Sequence, residues 1–337
     1  MEVLKKATSG VFVLIIVVVA MCVSLPGAYD HDTGASPNDP LTLEDLIPEG
    51  LRSDSGVDLR VLIGSELVEM TMERYLFSVL SAEMPASFEL EALKAQAVAA
   101  RTNVMHNIHV MSKENHPNAH VCTDHLCCTA FSSDERLRER WGDDYLSNMT
   151  KIITAVVETD GVYLSYQGEP ILAVFHSSSA GKTETSGNVW MMDMPYLISV
   201  DSPETAENVP GFISEVIVSG TELRETISSA YPQAVFGDDT NSWIRDITHT
   251  GSGRIFDLVI GGVAIRGTVL RSMFNLRSTA VSIKWVDNDV VFTTTGFGHG
   301  VGMSQYGANT MAAEGKGYRE ILRAYYTGVT ISGTAPA

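Results

Sequence analysis

The sequence predicts an α+β fold, a helical segment packed on antiparallel sheet, and three observations carry that prediction. Residues 71–106 place apolar side chains in steps of three and four, the period of helices that bury one face. Residues 151–181 and 243–295 hold short β-rich runs broken by turn signals, the pattern of antiparallel hairpins. Long strand–helix alternation is missing, which argues against a parallel βαβ sheet, and no internal repeat is visible. The chain has 337 residues, 45% of them apolar, enough for one large domain or two modest ones. Its net charge of −18 argues against nucleic acid or an anionic membrane held by general electrostatics.

The elements follow in order. "MEVLKKATSGVFVLIIVVVAMCVSLPGAY" sets Lys5 and Lys6 ahead of an apolar run from Val11 to Val23. With its flanks the run gives about 17 residues, near the lower limit for spanning a bilayer. The lysines stay cytoplasmic, so the remainder is exported. Residues 1–28 therefore read as a cytoplasmic tip and single transmembrane anchor, with a cleaved signal peptide as the rival. Residues 29–57 form a stalk: between Asp30 and Asp58 lie eight acidic residues, one arginine and three prolines, a composition that stays solvated and extended. Residues 58–332 form the working domain.

Within it, "DLRVLIG" (58–64) reads as a first strand. Thr71 is the expected N-cap of a helix running to about Glu83, where Pro85 stops it. The next helix, about Glu89 to His106, carries a narrow stripe at Leu90, Leu93, Ala97, Ala100 and Val104. "ITAVVETDGVYLSYQGEPILAVF" reads as three strands with turns at "TDG" and "QGEP". Between 243 and 295, strands flank "SGR" and "VDND", with a helix at "TVLRSMFNLR", and residues 304–326 return to helix.

Glu83 stands out. Leu76, Val79 and Leu80 mark the buried stripe of the first helix, and Glu83 projects from the same face. A carboxyl group half-buried among apolar neighbours holds its proton to higher pH and can give it to a leaving group. The plain alternative is a helix-end glutamate reaching water. Ordinary glycoside hydrolases need two carboxyl groups, yet Glu89 and Glu91 are explained by a helix's first turn, and no second candidate is evident. A sugar with its own nucleophile, such as the C6 hydroxyl of muramic acid, removes that need.

"YLFSVLSAEMPASFELEALKAQAVAART", "PILAVFHSSSAGKTETSGNVW" with "PYL", and "GFGHGVGMSQYGANTMAAEGKGYREILRAYYTGV" together resemble the stage II sporulation protein D family over about residues 58–332. The resemblance implies a membrane-anchored lytic transglycosylase that cuts peptide-free peptidoglycan strands between MurNAc and GlcNAc. It would leave 1,6-anhydro-MurNAc ends during engulfment of the forespore. It places the domain outside the cytoplasm, on the mother-cell membrane facing the septum. The implied partners are an amidase, stage II sporulation protein P, and a membrane protein, stage II sporulation protein M. The catalytic glutamate of the family's "EMP" maps to Glu83. Arg101 carries over as a residue needed for activity, and its guanidinium suits the lactyl carboxylate of muramic acid, with a structural ion pair as the alternative.

The first four glycines of "GFGHGVGMSQYGA" fall at 296, 298, 300 and 302, which fits neither a dinucleotide fingerprint nor a phosphate loop. They read as backbone that must approach a neighbour closely, with a tight structural turn whose histidine is satisfied in the core as the alternative to ligand contact. His299, Ser304 and Gln305 then offer hydrogen bonds to sugar, as do His176 and Tyr196 of the middle block. "HPNAHVCTDHLCCTAF" gathers three of the four cysteines and three histidines between residues 116 and 128. A disulfide is the default in an exported chain, but three cysteines leave one over. Some family members resemble this stretch and bind zinc with two His and two Cys. On that pattern the ligands are His116, Cys122, Cys127 and Cys128, with Cys127 standing where the pattern has His and with His120 or His125 as a substitute for one of them. Four protein ligands make the metal structural, since no position is left for water. Two rival functions remain: a non-catalytic module that binds wall glycan, and a zinc-dependent wall amidase.

Overall fold

The computed structural model describes residues 58–110, 114–190 and 192–333. The expected anchor and stalk lie outside the described residues. Among the described residues no helix is long and apolar enough to cross a membrane.

The chain opens with an antiparallel hairpin of β1 (Leu59–Ile63) and β2 (Glu66–Met70). Thr71 caps α1 (Met72–Glu83), its side chain accepting the Arg74 N–H. Met84 is extended, as the residue before a proline tends to be, and α1 stops there. Then comes α2 (Leu90–His109), whose expected narrow stripe is corrected: every residue from Ala95 to Thr102 is buried. Alanines at 95, 97, 99 and 100 let neighbours close in on all sides, so α2 is the axis of the core.

After β3 (Val121–Cys122), which pairs in parallel with β1, come α3 (Asp134–Trp141) and α4 (Tyr145–Val157). The first of the three expected strands, "ITAVV", is the end of α4. Its β-branched run alone suits a strand, but the buried face is Tyr145, Met149, Ile152, Ile153 and Val156, a helical spacing that begins ahead of the run. The expected "QGEP" hairpin is present as β4 (Tyr163–Tyr166) and β5 (Glu169–Pro170). Next are β6 (Phe175–His176) and α5 (Ser186–Trp190).

A second core follows. β7 (Ile213–Ser219) leads into α6 (Gly220–Ala230), and β8 (Ile244–His249), β9 (Ile255–Ile260) and β10 (Val263–Arg266) make an antiparallel sheet flanking "SGR". The expected helix is α7 (Gly267–Met273). β11 (Val281–Val286) and β12 (Asp289–Thr295) pair around "VDND", with β7 on the far side of β12. Leu223, Leu258, Leu270 and Phe292 fill the space between.

The chain then returns to the first core through β13 (Met303–Ser304), α8 (Gln305–Ala313), α9 (Tyr318–Tyr325) and β14 (Thr330–Ser332), which pairs with β4. The α+β class is as expected, with one correction to its arrangement. α1, α4, α8 and α9 pack on α2 and short strands, and the larger antiparallel sheets build the second core.

Candidate active site

Glu83, the last residue of α1, lines a cleft of about 660 Å³. Met84 to Phe88 form one wall, Gln305 and Tyr306 enter from the start of α8, and Arg140, Trp141 and Asn148 come from α3 and α4. The buried stripe at Leu76, Val79 and Leu80 fixes the side of α1 from which the carboxyl group projects. Its Oε1 accepts the backbone N–H of Ala130 at 2.8 Å, and its Oε2 accepts from Gln305 Nε2 at 3.4 Å. Burial pushes the Glu83 carboxyl above its ordinary range, and the two donated hydrogen bonds pull the other way without cancelling it. The result is an acid fixed in place and inclined to keep its proton.

Gln305 owes its position to the glycine-rich block. Gly298 has φ +115°, and a Cβ there would stand 2.7 Å from the His176 Cβ; Gly302 has φ +71°, and its Cβ would meet the Val174 carbonyl oxygen at 2.1 Å. Only glycine fits both the backbone angle and the gap. The close approach lets β13 pair in parallel with β6, Ser304 opposite His176, and α8 starts from that pair.

The other expected sugar contacts are placed differently. Ser304 is fully buried: its hydroxyl hydrogen-bonds the Glu204 carboxylate and accepts the Gly307 N–H, capping α8. His176 is buried with Nδ1 3.1 Å from the Val301 carbonyl and Nε2 2.7 Å from Ser179 Oγ. Burial holds His176 well below the usual histidine range, and His299 and Arg254 beside it push the same way. Tyr196 is also buried, its hydroxyl accepting the Leu172 N–H. His299 sits against the exposed ring of Trp190, 5.1 Å between centroids and outside the lining around Glu83. Burial lowers it to about 4, helped by Arg271.

Arg101 is a core residue at 0% exposure. Its guanidinium donates to the carbonyls of Val156 and Val162 and to Thr159 Oγ1, at the C-terminal end of α4. A cation there meets the negative end of the helix dipole. The expected fork on a substrate carboxylate is corrected: Arg101 fastens α2 to α4.

Of the expected contacts, then, Gln305 alone joins Glu83. Arg140, Trp141, Asn148 and Tyr306 were not foreseen. Their one sequence signal is "RERW", basic and aromatic residues side by side in an acidic chain.

The ligand atoms of His116, Cys122, Cys127 and Cys128 lie within 4.8 Å of one another. Cys128 Sγ is 3.3 Å from His116 Nε2, close to the ligand–ligand spacing of about 3.5 Å in a tetrahedral zinc site. His116 Nδ1 lies 3.1 Å from the Ala119 carbonyl, which leaves Nε2 as the free lone pair facing the thiols. None of Cys122, Cys127 and Cys128 is in a disulfide, and burial pushes Cys122 up to about 12, so a dication is what would make such a group a thiolate. His120 is engaged elsewhere, accepting the Arg60 N–H, and His125 is largely exposed. The donor set fits one tetrahedral ion. The same loop docks on α1 through Thr129 to Tyr75, Ser132 to the Ser78 carbonyl, and Ala130 to Glu83.

A family model described as Stage II sporulation protein matches residues 65–166. The chain is 33% identical over 332 residues to stage II sporulation protein D of Bacillus subtilis (strain 168), covering 96% of this chain and 94% of that one. It is 37% identical over 261 residues to the protein of the same name from Bacillus amyloliquefaciens, covering 77% and 74%. An amidase enhancer of Bacillus subtilis is 28% identical over 306 residues, 76% of this chain and 40% of that protein.

Proposed function

The chain belongs to the stage II sporulation protein D family, and from that premise we propose that it is a membrane-anchored lytic transglycosylase acting on peptide-free peptidoglycan during engulfment. The observation that carries the reading is Glu83: one half-buried acid, raised by its surroundings, in a cleft with open space beside it. Protonated Glu83 gives its proton to the glycosidic oxygen as the bond to C1 of MurNAc breaks. The resulting carboxylate, steadied by Ala130 and Gln305, then takes the proton of the C6 hydroxyl as that oxygen closes on C1. Glu83 ends as it began, protonated, and the product carries a 1,6-anhydro bridge.

Asp144 also lines the cleft and supports a second reading, a hydrolase in which it activates water. Mass spectrometry of peptide-free glycan treated with the soluble domain separates the two. Anhydro ends, lost in Glu83→Gln, support the transglycosylase; ordinary reducing ends support the hydrolase. Intact strands with retained binding would indicate a wall-binding module and overturn both.

A zinc ion on His116, Cys122, Cys127 and Cys128 is proposed as a structural fastener, holding thiolates together and the loop against α1. Four protein ligands leave no place for water, which counts against a zinc amidase. The anchor would keep the domain outside the cytoplasm, on the mother-cell membrane facing the septum. Stage II sporulation protein P, as the amidase that bares the strands, and stage II sporulation protein M are the proposed partners.

A further inference from the structure

The cleft does not stop at Glu83. A second space of about 530 Å³ is lined by Ala130, Phe131, Arg136, Glu139 and Arg140, and it shares Ala82 and Arg140 with the first. Both volumes fall in the range of sites for small organic ligands, roughly 300–1,000 Å³. Glu83 lines the first space and follows Ala82, which lines both. Its Oε2 is tied to Gln305 in the first space and its Oε1 to Ala130 in the second. A polymer laid across both would present the bond between two sugars to the acid, with one flank in each space.

The second space differs in charge. In a chain of net charge −18, it holds two arginines against one glutamate. Arg140 is committed, its Nη2 donating to the Ser81 carbonyl and its guanidinium lying 5.3 Å from the Trp141 ring. Arg136 is exposed and lines the space, and among the described residues the bond found for it is that of its backbone N–H to Ser133 Oγ, which leaves the guanidinium for a ligand. Phe131 and the stem of Arg140 give apolar surface on which a sugar ring can lie.

We propose that this second space is a subsite for muramic acid whose lactyl carboxylate is free, with Arg136 as its charge partner. The inference rests on the transglycosylase reading and deepens it. Removal of a stem peptide from muramic acid turns a neutral amide into a carboxylate, and a guanidinium fork discriminates between those two groups. Preference for bared strands would then be built into the groove next to the acid. With Arg101 locked in the core, Arg136 takes the part that the sequence assigned to Arg101.

The test separates binding from cutting by using Glu83→Gln. Its affinity is measured for peptide-free glycan oligomers, for the same oligomers with carboxylates converted to methylamides, and for chitin oligomers that lack the lactyl group. The carboxylate form is expected to bind about tenfold tighter than the amide, roughly 1.4 kcal/mol, with the ratio falling as salt rises. Adding Arg136→Gln brings the ratio near one, and Arg136→Lys restores part of it. Arg323→Gln, an exposed charge on α9, leaves it unchanged. An unchanged ratio in Arg136→Gln, or equal binding of all three glycans by Glu83→Gln, overturns the subsite. If the ratio behaves as expected while the wild type produces no anhydro ends, the subsite stands and the transglycosylase reading falls.

Discussion

The backbone N–H of Ala130 meets Glu83 Oε1 at 2.8 Å, two residues beyond Cys128. The loop that carries the thiols therefore also carries one of the two donors that hold the proposed acid. Glu83 is thus tied at once to the thiol loop and, through Gln305, to the glycine-rich block.

The Gln305 contact can be removed with little change of shape. Gln305→Met takes away a donor that favours the carboxylate, so the Glu83 proton is held to higher pH. The alkaline limb of kcat/KM against pH is expected to move upward, while kcat falls about ten- to a hundredfold as the acid loses a positioning contact. A limb that stays put or moves to lower pH would assign it to another group.

Glu83 also costs stability where it must ionise. Its folded value lies above the unfolded one, so the folded state binds more proton between them, and stability falls as pH rises through that window. Glu83→Gln should match the parent in Tm below about pH 4.3, the unfolded carboxyl value, and exceed it above the window. Melting curves across pH check this; a lower Tm at neutral pH would contradict it.

Chelation should loosen the thiol loop. Structural zinc sites contribute several kcal/mol, so metal removal is expected to lower Tm by about 5 °C or more. Metal analysis should find one ion per chain, lost in Cys122→Ser. Unchanged melting after complete removal would take the ion out of the fold.

Arg101→Met leaves the carbonyls of Val156 and Val162 short of their donor in the core. The expected cost is about 2–4 kcal/mol in denaturant unfolding. In the folded fraction, the dependence of glycan binding on the sugar carboxylate should persist. Loss of that dependence with stability intact would return Arg101 to the substrate.

Gly302→Ala sets a Cβ against the Val174 carbonyl at a positive φ. About 3 kcal/mol or more is expected, together with loss of the β6–β13 pair and of the Gln305 contact. Wild-type stability would show that the backbone can retreat.

The place of Glu83 was legible because it breaks a pattern, a carboxylate on an apolar stripe beside a proline; that pattern alone suits a helix-end glutamate equally, and the proposed role as acid came from the family resemblance. The thiol cluster was legible because its members are close in sequence. The surroundings were not. Arg101 sits in a helix buried all round, where alanines give periodicity little to register, so nothing marked the guanidinium as enclosed. Ser304 and Gln305 are adjacent in sequence, yet one caps a helix inside and the other faces the cleft, a difference set by β13 pairing with β6. Arg136 and Arg140 were overlooked because a charged residue on a short helix ordinarily faces solvent. The strand expected at "ITAVV" failed for a related reason, since local preference yielded to a face whose first members lie upstream.

Gln305 follows Glu83 by 222 positions. The cleft around Glu83 therefore closes only when two distant stretches of the chain have met, and β14 pairing with β4 lies beyond the second of them. A chain that ended before α8 would keep Glu83 and lack the wall of the cleft that Gln305 and Tyr306 provide.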